Sequence, residues 1–123
     1  MHASKADLEP TVFGDYEGRT VDWDSMRFAF ESLPAHFPPD QTPFVGLPDD
    51  RCQCPHWGYV LRGSISFGYD DHVEVFETGD AFYAPADHTN AVSADTEVVM
   101  FSPTDELAVT EAAIMRNMAA LQH

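Results

Sequence analysis

Between residues 20 and 101 the chain falls into short runs in which apolar and polar residues alternate, each closed by glycine, proline or aspartate. Successive side chains of a strand leave opposite faces, so a period of two marks strands with one buried face. Residues 20–23 form one such run and residues 26–33 another, with Met26, Phe28 and Phe30 on one side and Arg27, Ala29 and Glu31 on the other. Residues 64–68 and 72–76, joined by Tyr69-Asp70-Asp71, predict a hairpin. Gly79-Asp80 turns the chain into a strand over 81–84, residues 85–90 form a loop carrying His88, and residues 96–101, rich in β-branched and aromatic side chains, form the last strand. Residues 44–47 add a short strand before the turn Pro48-Asp49-Asp50. Many short strands at this spacing predict a small β-barrel or jelly roll.

The ends depart from this pattern. Residues 1–18 are polar and charged, with Val12 and Phe13 their only apolar pair, and are expected as an arm packed on the barrel. Residues 34–43 hold four prolines, which exclude a regular strand or helix interior and leave a loop carrying His36. Near the C-terminus, Ser102 as N-cap, Pro103 at the first helical position and Asp105 three residues after the cap make a capping-box variant. Leu107, Ile114, Met115, Met118 and Leu121 recur at helical spacing, so residues 104–121 predict an amphipathic helix whose methionine stripe serves core packing or a dimer contact. A chain of 123 residues suits one domain: arm 1–18, β-barrel 20–101, helix 104–121.

A formal charge of −15 with only six Lys and Arg argues against nucleic acid as a partner, because a phosphate backbone needs clustered cations. There is no run of eighteen apolar residues and no apolar leader core, so no membrane partner is expected and the reading is a cytoplasmic protein.

Chemistry concentrates in residues 52–63, which hold both cysteines of the chain and a histidine at two-residue intervals. In an extended strand Cys52, Cys54 and His56 leave the same face. Cα atoms about 6.6 Å apart lie at the upper edge of disulfide geometry, and a reducing compartment opposes the bond, so the pair reads as two thiolates. Two thiolates and an imidazole on one face suit a metal. Each residue alone also reads as plain packing, the cysteines as small buried hydrophobes and His56 as a hydrogen-bonded core histidine.

Two stretches resemble the motifs of the cupins. The second cupin motif runs Gly, five residues, Pro-x-Gly, two residues, His, three residues, Asn, and Gly79 to Pro85 has its five-residue gap. Asp87 stands at the following glycine, the histidine position falls on Asn90 with His88 two residues earlier, and Ala94 takes the final Asn position. The first motif fits in two registers. From Gly46 its His-x-His becomes Cys52-Gln53-Cys54; counted back from Gly63, His56 takes the Glu position, with Asp50 and Cys52 at the two histidines. The fifteen residues between Gly63 and Gly79 match the shortest inter-motif spacing of small bacterial cupins.

The resemblance implies an all-β double-stranded β-helix, the jelly-roll or cupin barrel, with an N-terminal arm and a C-terminal α-helix. It also implies a divalent metal ion inside the barrel, held by Cys52, Cys54 and His56 joined by His88, a set whose softness favours Zn²⁺. Four ligands make a closed structural site, whereas three leave a catalytic position. In an ideal strand Cys52 and His56 lie about 13 Å apart, so both reach one ion only if the strand twists or bulges. Gly58 leaves room for a ligand, Trp57, Tyr59, Phe82 and Tyr83 wall a pocket or fill the core, and Arg62 is a carboxylate anchor or a surface residue. Three functions stay open: a metal-dependent enzyme acting on a small organic molecule, a non-catalytic small-molecule or metal-sensing module, and a metal-free epimerase or dehydratase using His and Tyr. A homodimer is expected, since the arm and the Met-bearing helix lack an obvious place within the chain.

Overall fold

The computed structural model describes residues 1–35, 42–92 and 94–120. Among them the strands are β1 (Pro10–Phe13), β2 (Tyr16–Trp23), β3 (Met26–Leu33), β4 (His56–Arg62), β5 (Ser64–Gly68), β6 (Val73–Glu77), β7 (Ala81–Ala84), β8 (Thr89–Val92) and β9 (Thr96–Pro103), followed by helix α1 (Thr104–Ala120). One sheet has the order β1-β2-β3-β9-β4-β7 and the other β6-β5-β8, and all pairs are antiparallel. This is the jelly roll expected from the alternating runs. Its main core lies between the sheets, where Leu33, Val60, Ile65, Phe67, Phe82, Ala84, Val98 and Met100 pack together. A second cluster under α1 joins Phe44, Leu47, Cys52, Cys54 and Ala113.

Several segments depart from the sequence reading. Part of the segment expected as an arm is sheet: β1 pairs with β2 from Pro10↔Arg19 to Phe13↔Tyr16, across a turn at Gly14, whose φ of +56° glycine adopts without strain. Residues 44–47 are not a strand; a 3₁₀ turn, Thr42–Phe44, precedes a bend in which the Leu47 N–H donates to the Phe44 carbonyl, and Gly46 has φ +99°. Thr89 and Asn90, expected at the end of the loop, begin strand β8, which pairs with β5. Pro103 ends β9 rather than starting the helix, and the N–H and hydroxyl of Thr104 both donate to the Ser25 carbonyl. Ser102 is thereby released from a capping role and buried. His36, Leu121 and His123 lie outside the described residues.

The larger sheet turns its aromatic side outward. Phe28 pairs with Phe101 and Phe101 with Trp57, Phe30 with Val99 and Val99 with Tyr59, and Tyr83 with Trp57, which places all of them on one face. Phe28 meets Phe101 edge-on at 4.5 Å, and Trp57 stacks on Tyr83 at 5.1 Å. Trp57, Tyr59, Tyr83 and Phe101 are exposed. The opposite face of β3, carrying Arg27, Ala29 and Glu31, looks into the molecule. Gly58 also looks inward, but its space is filled: a Cβ there would meet the Phe82 ring at 2.4 Å and the Val99 carbonyl at 2.5 Å. The glycine serves packing, not ligand room.

Candidate metal centre and its cavity

Cys52 precedes the strand expected to carry it. Residues 52–55 bend, with Pro55 lacking a ladder donor, and β4 starts at His56. Cys52 instead makes an isolated antiparallel bridge with His88: its N–H donates to the His88 carbonyl at 2.8 Å, and its own carbonyl accepts from His88 at 3.1 Å and Asp87 at 2.8 Å. Asp87 reaches this arrangement with φ +70°, a left-handed conformation that Asp tolerates better than most residues. The bend solves the reach problem of a straight strand. Cys52 Sγ lies 3.5 Å from His56 Nε2, and the ligating atoms of Cys52, His56 and His88 all lie within 4.8 Å of one another.

The two imidazoles are oriented from behind. His56 Nδ1 is 2.7 Å from Ser102 Oγ, and His88 Nδ1 is 2.7 Å from the Pro85 carbonyl, which can only accept. A proton on each Nδ1 satisfies both contacts and leaves each Nε2 as a lone pair, the arrangement common at metal-bound histidines. Burial drives the His56 imidazole down to about 3, with His88 adding to the effect, and burial also lowers His88. Both rings are therefore neutral at pH 7, the form that ligates. Burial raises the Cys52 thiol, and the Thr110 hydroxyl 3.8 Å from Sγ opposes this.

Cys54 is not part of this group. Its Sγ faces the carbonyls of Pro55 and Pro103, and burial, reinforced by Cys52, pushes its thiol up to about 12. Arg62 is exposed at a strand end, 3.7 Å from Glu97, and Trp57, Tyr59 and Tyr83 belong to the outer face while Phe82 is core. His72 sits on the hairpin between Asp71 and Glu74.

Cys52 and His56 form part of the wall of a cavity of about 380 Å³ between the inner face of the larger sheet and α1. Leu33, Phe44, Met100, Leu107, Ile114 and Met118 make it largely apolar, and Tyr16, Glu31, Thr110, Arg27 and Glu111 supply polar points. The Tyr16 hydroxyl donates to Glu31 Oε1 at 3.4 Å. Burial raises the Glu31 carboxyl to about 7, Glu111 adding and Tyr16 opposing, and burial followed by Glu31 raises the Tyr16 phenol well above its usual range. Sequence reasoning missed Tyr16, Glu31 and Ser102. The one available signal was Glu31 itself, an acid between Ala29 and Leu33 on one side of a strand.

No model of a known protein family matches the sequence, and no curated protein matches it. Solved structures do match in shape. The polyketide cyclase RemF from Streptomyces resistomycificus aligns over 85% of this chain and 79% of its own at 16% identity and a TM-score of 0.61. An RmlC-like cupin from Shewanella frigidimarina aligns over 83% and 88% at 13% identity and 0.57. An oxalate decarboxylase of Bacillus subtilis aligns over 82% of this chain but 28% of its own, at 13% identity and 0.56. At these identities the likeness establishes the fold, which is the cupin jelly roll. Among the described residues no helix is long and apolar enough to cross a membrane.

Proposed function

We propose that the chain is a metal-dependent enzyme acting on a small organic molecule in the cavity beneath α1, with the ion held by Cys52, His56 and His88. The observation that carries this reading is the 3.5 Å between Cys52 Sγ and His56 Nε2. Zinc bonds of about 2.3 Å to sulfur and about 2.0–2.1 Å to nitrogen, at a tetrahedral angle, separate the two donors by about 3.5 Å. A thiolate with two neutral imidazoles is a donor set that suits Zn²⁺. Three protein ligands leave a coordination position open, and the cavity wall formed by Cys52 and His56 gives it somewhere to open. When bound, the ion supplies a Lewis acid. Ser102 and the Pro85 carbonyl hold the imidazoles in the ligating tautomer, Thr110 is placed to hydrogen-bond the Cys52 sulfur, and the largely apolar walls suit an organic ligand. The polyketide cyclase and the decarboxylase among the similar structures support an enzyme. Protein purified without chelator is expected to carry about one equivalent of zinc by elemental analysis, and less than about a tenth of an equivalent of any divalent metal overturns the reading.

We also propose that the outer face of the larger sheet pairs with a second copy of this chain. It presents Trp57, Tyr59, Tyr83, Phe101, Val99, Phe28 and Phe30 together, in a chain of net charge −15. A second copy brings the same uncharged patch, so an isologous contact covers both without opposing like charges. Sedimentation at about 10 µM protein is expected to give a dimer, with Trp57→Lys and Phe101→Glu monomeric and still folded. A wild-type monomer at that concentration sinks the idea.

A further inference from the structure

The metal reading leaves one cavity-facing acid without a task. Glu31 is half-buried on β3, facing the same cavity as Cys52 and His56, and its hydrogen-bond partner is the Tyr16 phenol at 3.4 Å. Arg27, two same-face positions away, is committed to Asp22 at 2.7 Å and to Glu111 at 2.5 Å. Among the described residues no Lys or Arg forms an ion pair with Glu31. As a purely structural device this is poor: a carboxylate held by one long hydrogen bond to a phenol costs more to bury than the amide of Gln, which would satisfy the same hydroxyl.

We propose that Glu31 and Tyr16 form a second reactive point of the cavity, a carboxylate–phenol pair that moves a proton on an uncharged carbonyl compound. The α-carbon and the oxygen of a ketone are separated by one atom, so an adjacent carboxylate and phenol reach both. Glu31 takes the α-proton, the C–H electron pair becomes a C=C bond, and the carbonyl π pair moves onto oxygen, where the Tyr16 hydroxyl donates a hydrogen bond. Return of the proton from Glu31 restores the ketone, and nothing is oxidised, reduced or consumed. An uncharged substrate follows from the lining. Arg27 is the only Lys or Arg there among the described residues, and it is already neutralised, while Leu33, Phe44, Leu107, Ile114 and Met118 favour an apolar skeleton. Burial, Glu111 from α1 and the Tyr16 hydroxyl from β2 set the protonation of Glu31, while Arg27 from β3 and Cys52 line the same cavity.

The pair rests on the same reading that a small molecule enters the cavity, but it needs no ion. The test therefore uses the full chain stripped with chelator, in D₂O, with 2-tetralone as the probe, and α-deuteration is followed by mass spectrometry. Exchange at least about tenfold above buffer is expected, falling at least about tenfold in Glu31→Gln and partly in Tyr16→Phe. An infrared carbonyl band of a protonated carboxyl is expected to titrate near neutral pH in the wild type and to be absent from Glu31→Gln. No exchange above buffer, exchange unchanged in Glu31→Gln, or no such band in the wild type overturns the proposal. Elemental analysis judges the metal reading separately, so either can fail alone.

Discussion

Replacing His56 or His88 by alanine is expected to weaken Zn²⁺ binding by more than about a hundredfold, measured by competition against a chromophoric chelator on metal-free protein. In the proposed site each imidazole supplies one of three donors, and the two that remain would not enclose an ion. Cys52→Ala belongs to the same class, because the 3.5 Å contact from Cys52 Sγ to His56 Nε2 sets the width of the site. Ser102→Ala leaves all three donors in place but removes the partner that orients His56, so a loss of about ten- to a hundredfold is expected. Cys54→Ala provides the contrast. Its thiol faces the Pro55 and Pro103 carbonyls, so metal affinity should stay within about threefold of wild type. If Cys54→Ala loses as much as Cys52→Ala, the ion is held by a four-donor set that requires the 52–55 bend to rearrange, and the open-site reading falls.

The barrel was legible because strand signals are local. The alternation in 26–33, 64–68 and 96–101 and the Gly79-Asp80 turn each need only a few residues, and each appears close to where it was expected. Which face of β3 turns inward was not legible. Phe28 and Phe30 are the more apolar side, yet they pair with Val99, Phe101 and their neighbours on an outer face, while Arg27 and Glu31 line a cavity. That choice depends on α1 and β9, far along the chain. The donor group was legible in composition but not in membership. Parity counted from Cys52 assumed a strand, whereas the bend at residues 52–55 sends Cys52 across to His88 and Cys54 under the helix. Ser102 carried a strong helix-cap signature, and the Ser25 carbonyl overrode it by holding Thr104 instead. Both errors come from contacts between residues tens of positions apart, which no window of local sequence contains.

Glu31→Gln is expected to stabilise the fold above pH 7 by about 1–3 kcal/mol, even as it removes the proton-transferring group. The carboxyl titrates near 7 in the folded chain and near its ordinary 4.5 when unfolded. Below about pH 4.5 both states hold the proton, and Glu31 costs nothing. Between 4.5 and 7 the folded chain binds a proton that the unfolded chain has released, so stability falls as pH rises; above 7 the full cost of a half-buried charge is present. That displacement corresponds to about 3 kcal/mol, reduced by whatever water the cavity admits to the carboxylate. His56 acts in the opposite sense. Its folded value of about 3 means that below its ordinary 6.5 the unfolded imidazole gains a proton the folded one refuses, so acid destabilises the native state through this residue. Because His56 is present in both proteins, its effect cancels in the difference between wild type and Glu31→Gln. Urea unfolding at pH 4.5, 6 and 8, with chelator present to exclude metal linkage, should show that difference growing from near zero to its maximum. A gap of constant size across these three values would mean that Glu31 is not a carboxyl titrating near neutral pH in the folded chain. A gap that opens with pH shows a group kept at a cost to stability, as expected of one retained for chemistry rather than for packing.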